Sequence, residues 1–283
     1  VGDISNRGIE LTINAIPVQN EVWKWTSSLN LSHNRNRVEK LSNAAFSVKY
    51  QALGYPSFCT GMALIVSSMG VAVQRLMEGS PIGQFYTYEY AGHDENGISQ
   101  FWVHDPETGE RTGETTIKPT DTDRTKTGSA QPKLTMGWTN TISYKNWDLN
   151  LFFHGVFGNK IFNALRAQYN GVTMITKGKN VLREALTSQN YGDVNAQSPS
   201  DRYVENGSFL RLASATLSYD FGRLKGWVEN LSVYATCNNV FTLTSYKGSD
   251  PEVSLGGLTP GVEWRKDYYP HTRTFMVGMK VSF

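Results

Sequence analysis

Apolar and polar residues alternate one for one along several stretches of the chain. From Val22 to Ser32 one parity reads Trp23, Trp25, Ser27, Leu29 and Leu31, and the other reads Val22, Lys24, Thr26, Ser28, Asn30 and Ser32. Leu134, Met136, Trp138, Ile142 and Tyr144 repeat the pattern. So do Trp147, Leu149, Leu151 and Phe153, set against Asp148, Asn150, Phe152 and His154. At the end of the sequence Phe275, Val277, Met279, Val281 and Phe283 alternate with Thr274, Met276, Gly278, Lys280 and Ser282. A period of two puts successive side chains on opposite faces, so each stretch predicts a strand with one apolar and one polar face. The runs reach about ten residues, against about five or six for an ordinary soluble strand. Gly8–Ile16, Ser67–Met77, Gln84–Ala91, Phe209–Phe221 and Leu231–Val240 bring the total to about nine strands. Helical spacing competes only at Phe162–Tyr169 and Asn180–Leu186, both read as loop helices.

The connections alternate in length. Pro17–Glu21, Glu78–Gly83, Lys145-Asn146 and Gly222–Asn230 are short, whereas Arg35–Val66, Gly92–Gln131, Gly158–Ser208 and Thr242–Arg273 are long. Long strands with short turns at one end and long loops at the other are the pattern of a transmembrane β-barrel. Trp23, Trp25, Tyr144, Trp147, Tyr219, Phe221 and Phe283 fall beside the short turns. Rings with an apolar body and, in Trp and Tyr, a polar tip favour that depth in a membrane. A soluble β-sandwich holding the same aromatics in its core is the other reading of this pattern.

Composition narrows the choice. The 283 residues carry 27 basic and 25 acidic side chains, a formal charge of +2, which does not suit a nucleic-acid binder that neutralises phosphates. Mean hydropathy is −0.39, and the longest apolar run, Met62–Val73, is broken by Ser67, Ser68 and Gly70. It falls well short of the roughly 20 residues of a spanning helix. Fourteen Tyr, 13 Phe and 7 Trp are too many aromatics for a disordered chain. Cys59 and Cys237 are too few for a disulfide-dense scaffold or a four-cysteine metal site, and their spacing does not decide whether they pair. His33, His93, His104, His154 and His271 are scattered, and no nucleophile elbow, phosphate loop or dinucleotide fingerprint occurs. Neither enzymatic activity nor a cofactor or metal is expected.

Seven stretches, in order, resemble one family. They are Asn6-Arg7-Gly8-Ile9-Glu10-Leu11, Trp23-Lys24-Trp25-Thr26 through Val38, and Glu78 through Tyr86 with its Gly-Ser-Pro-Ile-Gly core. Gly128 through Pro132 followed by Ser143-Tyr144-Lys145-Asn146-Trp147-Asp148-Leu149 is the fourth, and Glu205-Asn206-Gly207-Ser208-Phe209-Leu210-Arg211-Leu212 the fifth. Asn239-Val240-Phe241 through Tyr246, Gly248 and Asp250-Pro251-Glu252 is the sixth, and Tyr269-Pro270 before Arg273-Thr274-Phe275 the last. Together they resemble the C-terminal part of a SusC/RagA-type TonB-dependent outer-membrane transporter of Bacteroidetes. Many such proteins carry a calcium-loop-like stretch before the fourth motif. Here only Asp121 and Asp123 remain, too few oxygens for the six to eight ligands of Ca²⁺.

The resemblance implies an all-β fold, with residues 1–283 forming about nine C-terminal strands of a barrel of roughly 22. The plug and the TonB-contacting region would lie outside these residues. It implies a bacterial outer-membrane location and uptake of oligosaccharides or peptides beneath a SusD-like surface lipoprotein, driven through TonB. The alternative is a SusC-like barrel serving as a structural subunit of a larger outer-membrane complex. Expected partners are the remaining N-terminal barrel and plug portion, in the same or a separate chain, the lipoprotein, TonB and outer-membrane lipid, with no nucleic acid. Lys24, Asn30, Asp148, Asn150 and His154 are expected to face the lumen, as plain wall residues or as contacts for plug or solute. Tyr246, Trp264, Tyr268 and Tyr269 are candidate loop contacts to ligand or lid, or else loop packing. Phe275, Val277, Met279, Val281 and Phe283 resemble the terminal signal read by the outer-membrane assembly machinery, and equally suit a lipid-facing strand.

Overall fold

The computed structural model describes residues 3–41, 73–187, 191–224, 226–253, 257, 259–263 and 269–283. β1 (Asp3–Gln19) reverses at residues 20–22 into β2 (Trp23–Lys40). Asn20 makes this turn, its Oδ1 accepting the N–H groups of Val22 and Trp23 at 2.9 and 2.7 Å. The first long connection carries β3 (Gln84–Tyr88), β4 (Tyr90–His93), β5 (Ser99–His104), β6 (Arg111–Thr116) and β7 (Arg124–Ser129). β8 (Leu134–Tyr144) and β9 (Trp147–Phe157) form a tight hairpin. The second long connection holds β10 (Lys160–Asn163), α1 (Ala164–Tyr169), three short 3-10 turns and β11 (Val204–Asn206). β12 (Phe209–Gly222) and β13 (Asn230–Thr244) follow, and the third connection carries β14 (Val262–Glu263) before β15 (Thr274–Ser282). The two predicted loop helices appear as α1, capped by Asn163 Oδ1 on the Arg166 N–H at 2.9 Å, and as a 3-10 turn at Arg183–Leu186.

Among the described residues β1, β2, β8, β9, β12, β13 and β15 pair in that order in one antiparallel sheet of seven strands. That is fewer than the roughly nine expected from alternation. Gln84–Ala91 is extended, but its residues enter β3 and β4, which pair with β7 and β5 inside the first connection. Ser67–Met77 lies mostly outside the described residues. Alternation specifies a strand but not its partner, and β3, at five residues, is too short to cross a bilayer, which takes about nine to eleven.

Register carries each face across the sheet. Trp23, Tyr144, Trp147 and Tyr219 form one row beside the short turns. Their rings meet at centroid distances of 4.3 Å (Trp23–Tyr144) and 4.7 Å (Trp147–Tyr219). Trp227 of the β12–β13 turn stacks on Phe283 at 4.7 Å, extending the aromatic belt to the end of β15. Above it the same face carries Ile9, Leu11 and Ile13 on β1 and Phe275, Val277 and Met279 on β15, all exposed. Among the described residues no helix is long and apolar enough to cross a membrane, which says nothing about crossing by strands.

The densest apolar packing lies in the connections, where Phe85, Ala130, Phe162, Ala167 and Tyr203 bury one another. The first and third connections reach back to the polar face. Ile82 N–H donates to Asn36 Oδ1 at 2.9 Å, and Arg211 reaches the third connection. Gly83 is needed where the first connection meets the third: its φ is +80°, and a Cβ there would lie 2.6 Å from Pro260 Cγ. A bulge between Leu212 and Ser214 resets the register of β12, with Asn239 opposite it in the left-handed region at φ 52°. Asn is among the residues that tolerate that conformation.

Candidate functional site

The polar face consists of rows of short hydrogen-bonding side chains. Lys24 lies opposite Ser143, whose hydroxyl donates to Asp148. Asn150 Nδ2 donates to Thr141 Oγ1 at 3.3 Å, and Thr12 Oγ1 donates to Asn30 Oδ1 at 2.8 Å. Thr12, Asn30, Gly137, His154 and Arg211 stand in one register row. Gly137 has no side chain, so the row dips there into a groove of about 370 Å³ walled by Glu10, Thr12, Asn30, Thr135 and His154. Hydroxyl, amide, imidazole and carboxylate groups in one recess can exchange hydrogen bonds with a hydrated solute. Lys24, Asn30, Asp148, Asn150 and His154 thus share a face but divide between two ends. Lys24 and Asp148 sit near the short turns, and Asn30 and His154 lie at the groove.

Next to His154 the row ends in an ion-pair cluster built around the buried Arg211 and Asp250. Arg211 donates through Nη2 to Asp250 Oδ1 and through Nη1 to Glu252 Oε2, each at 2.6 Å, and through Nε to Thr242 Oγ1 at 2.9 Å. His271 places Nδ1 at 3.0 Å from Asp250 Oδ2 and donates its backbone N–H to the same oxygen at 3.1 Å. Burial favours the neutral Asp250 carboxyl. The N–H groups of Glu252 and His271, the His271 ring and the Arg211 charge outweigh that and hold its pKa below the ordinary value. Asp250, Glu252 and His271 bring one ligand atom each within 4.8 Å of one another. A dication there would sit against the Arg211 guanidinium, which already holds both carboxylates, so the cluster is built as a latch tying the third connection to the wall.

A second node lies in the loop layer. Arg166 on α1 forks onto Glu184 at 2.7 and 2.9 Å and reaches Glu205 at 2.9 Å. Burial opposes the Arg166 charge, but the two carboxylates outweigh it and push its pKa further up. This node forms one wall of an open basin of about 520 Å³ lined also by Tyr169, Leu182, Lys247, Ser249 and Glu263. Tyr246 is buried beside it with its hydroxyl bonded to Glu263, which puts the ring inside the loop layer and not on an exposed platform. Tyr269 is exposed, and Trp264 and Tyr268 lie outside the described residues. Asp121 pairs with Arg75, and Asp123 closes a turn on Thr120 at 2.7 Å. Phe275, Val277 and Met279 are exposed on the apolar face, Phe283 stacks on Trp227, and Val281 is half-buried.

No family model matches the chain. Individual proteins do. It is 28% identical to TonB-dependent receptor P3 of Formosa agariphila, covering all of this chain and 29% of that protein. It is 29% identical to TonB-dependent receptor SusC of Bacteroides thetaiotaomicron, covering all of this chain and 27% of that protein. Among solved structures it superposes on the RagAB peptide importer in its "closed-closed" state with a TM-score of 0.75 and 26% identity, over the whole chain and 30% of that chain. Over its whole length the chain is similar to TonB-dependent transporters of the SusC and RagAB type. It spans less than a third of the length of these relatives.

Placed on this fold, the motifs acquire mechanical roles. Arg211 of the Phe-Leu-Arg-Leu strand and Asp250-Pro251-Glu252 of the third connection are two halves of one latch. Glu205, which opens the same motif, accepts the Lys247 N–H at 2.9 Å and one arm of Arg166. Sequence reasoning singled out His154 and Tyr246 beside these nodes but not Arg211, Asp250, Glu252 or Arg166. The first three stood within the quoted motifs, and an arginine on the polar parity of a strand was the one signal that could have marked a buried partner.

Proposed function

We propose that this segment forms part of the wall and outer mouth of a TonB-dependent importer that takes up oligosaccharides or peptides across the bacterial outer membrane. The observation that carries this reading is the return of the first and third long connections to the polar face, the third latched to the wall through Arg211. A wall with a wet inner face and a lipid-compatible outer face, with long connections gathered at one end, suits gated passage of a solute. The groove between Asn30 and His154 offers hydrogen bonding without fixed chemistry, as expected for transport by binding and release. A SusD-like lipoprotein would close over the loop layer. TonB would act on a plug held by regions outside these residues.

The test is growth. A strain lacking the full-length gene is compared with its parent on defined oligosaccharides and on peptides as sole source. Loss of growth on one class, restored by the intact gene but not in a TonB-deficient background, is the expected result. Equal growth on every substrate, with a surface complex that no longer assembles, would favour the structural-subunit role instead.

A further inference from the structure

On the apolar parity, arginines stand near the long-loop end of β1 and β2. Arg7 and Arg35 are register partners, and Arg37 pairs with Ser5 one step further along the same face. Two like charges directly opposite on one sheet face repel each other unless something neutralises them. Glu39 does not serve that pair. It accepts from Ser5 Oγ at 2.6 Å and lies 3.6 Å from Arg37 Nε. Neither Arg7 nor Arg35 forms an ion pair or side-chain hydrogen bond among the described residues. The side chains of Ser5, Arg7, Arg35, Arg37 and Glu39 enclose a recess of about 220 Å³ that retains a surplus of positive charge.

Depth identifies the counter-ion. Trp25, in the aromatic belt by the short turns, and Arg35 lie ten residues apart on β2. At about 3.3 Å per residue and a strand tilt of roughly 40°, Arg35 stands about 25 Å above Trp25. That is the height of the apolar band of an outer-membrane barrel. The arginines therefore sit at the far interface, directly above Ile9, Leu11 and Ile13, which are exposed on the same face. Lipid headgroup phosphates lie at that interface, with their acyl chains below. Guanidinium forks match phosphate oxygens in pairs.

We propose that Arg7 and Arg35, assisted by Arg37, bind the phosphate of a phosphorylated outer-leaflet lipid whose acyl chains lie along Ile9, Leu11 and Ile13. The inference rests on the barrel fold and not on import, so a transporter without detectable uptake would still bind the lipid.

The experiment uses the full-length transporter purified in neutral detergent. It is titrated with monophosphoryl lipid A, with the same lipid dephosphorylated, and with inorganic phosphate, and bound lipid is counted by native mass spectrometry. The expected result is about tenfold tighter binding of the phosphorylated lipid, the scale of one charge-assisted hydrogen bond. That preference should disappear in the R7Q/R35Q double variant and be unaffected by millimolar inorganic phosphate. Equal binding of the two lipids by the unmodified protein would overturn the proposal, and needs no variant to fold. An unchanged preference in R7Q/R35Q, with normal heat-modifiable gel mobility, would also overturn it. So would displacement of the lipid by inorganic phosphate, since the recess would then be a free-anion site.

Discussion

Arg211 Nη2 lies 2.6 Å from Asp250 Oδ1, and both side chains are about 95% buried. This contact joins the wall strand β12 to the third connection across 39 residues of sequence. Removing one partner of a buried pair leaves the other charge stranded, at a cost of about 3–5 kcal/mol. Arg211→Gln is therefore expected to loosen residues 245–273 while the sheet stays paired. Limited proteolysis of the folded full-length protein should show faster cleavage in that connection, and unchanged cleavage would remove the latch.

Acid should open the same latch. The Asp250 carboxyl has a depressed pKa, so its stabilisation is complete above the ordinary aspartate value of about 3.9 and is lost as pH falls through the lower folded value. Cleavage of the third connection should stay flat from neutral pH down to about 4 and rise below it. Asp250→Asn should be loose throughout and lack that acid limb. The readout is the cleavage rate with an acid-active protease.

On the apolar face two indoles hold a polar pair. Trp25 Nε1 donates to Asn140 Oδ1 at 3.1 Å and Trp138 Nε1 donates to Ser27 Oγ at 2.9 Å, while Ser27 and Asn140 are themselves register partners. Asn140→Ala leaves the Trp25 N–H without its acceptor and is expected to cost about 1–3 kcal/mol. The W25F/N140A pair should lose less than the two single changes together. Urea titration of the barrel refolded into lipid measures the coupling, and strict additivity would show that the pair is not linked.

The two faces of β15 should respond oppositely to charge. Val277, 85% exposed on the apolar face, would carry an arginine into lipid at a cost of about 2–4 kcal/mol near mid-bilayer. Met276 faces the other way, on the parity that already holds Lys280. V277R is expected to lower the heat-modifiable, assembled fraction, and M276R to leave it near the parent level. Equal effects would contradict the assignment of faces.

Much of the architecture is written in local pattern. Alternation names the outward and inward residue at each step of β2, β8, β9 and β15, because a pleated strand offers only two faces. Connection lengths separate the ends of the sheet, and the aromatic positions mark the short-turn end. Pairing is another matter. Gln84–Ala91 alternates as a wall strand does, yet it closes on β7 and β5 within a loop, since hydrogen-bonding partners are chosen by three-dimensional proximity. The bulge at Leu212–Ser214 likewise leaves no periodic signal that separates it from an ordinary irregularity.

By itself, then, the sequence determined the faces, the ends and the family resemblance of this chain, all of which rest on short-range geometry or on motifs read in order. Only the tertiary structure decided which charges meet. Arg211 finds Asp250 and Glu252 because the third connection folds back over the polar face. Arg7 faces Arg35 because the β1–β2 register places them opposite each other. Electrostatic partnership depends on distances of a few ångströms between residues tens of positions apart, and only the folded chain sets those distances.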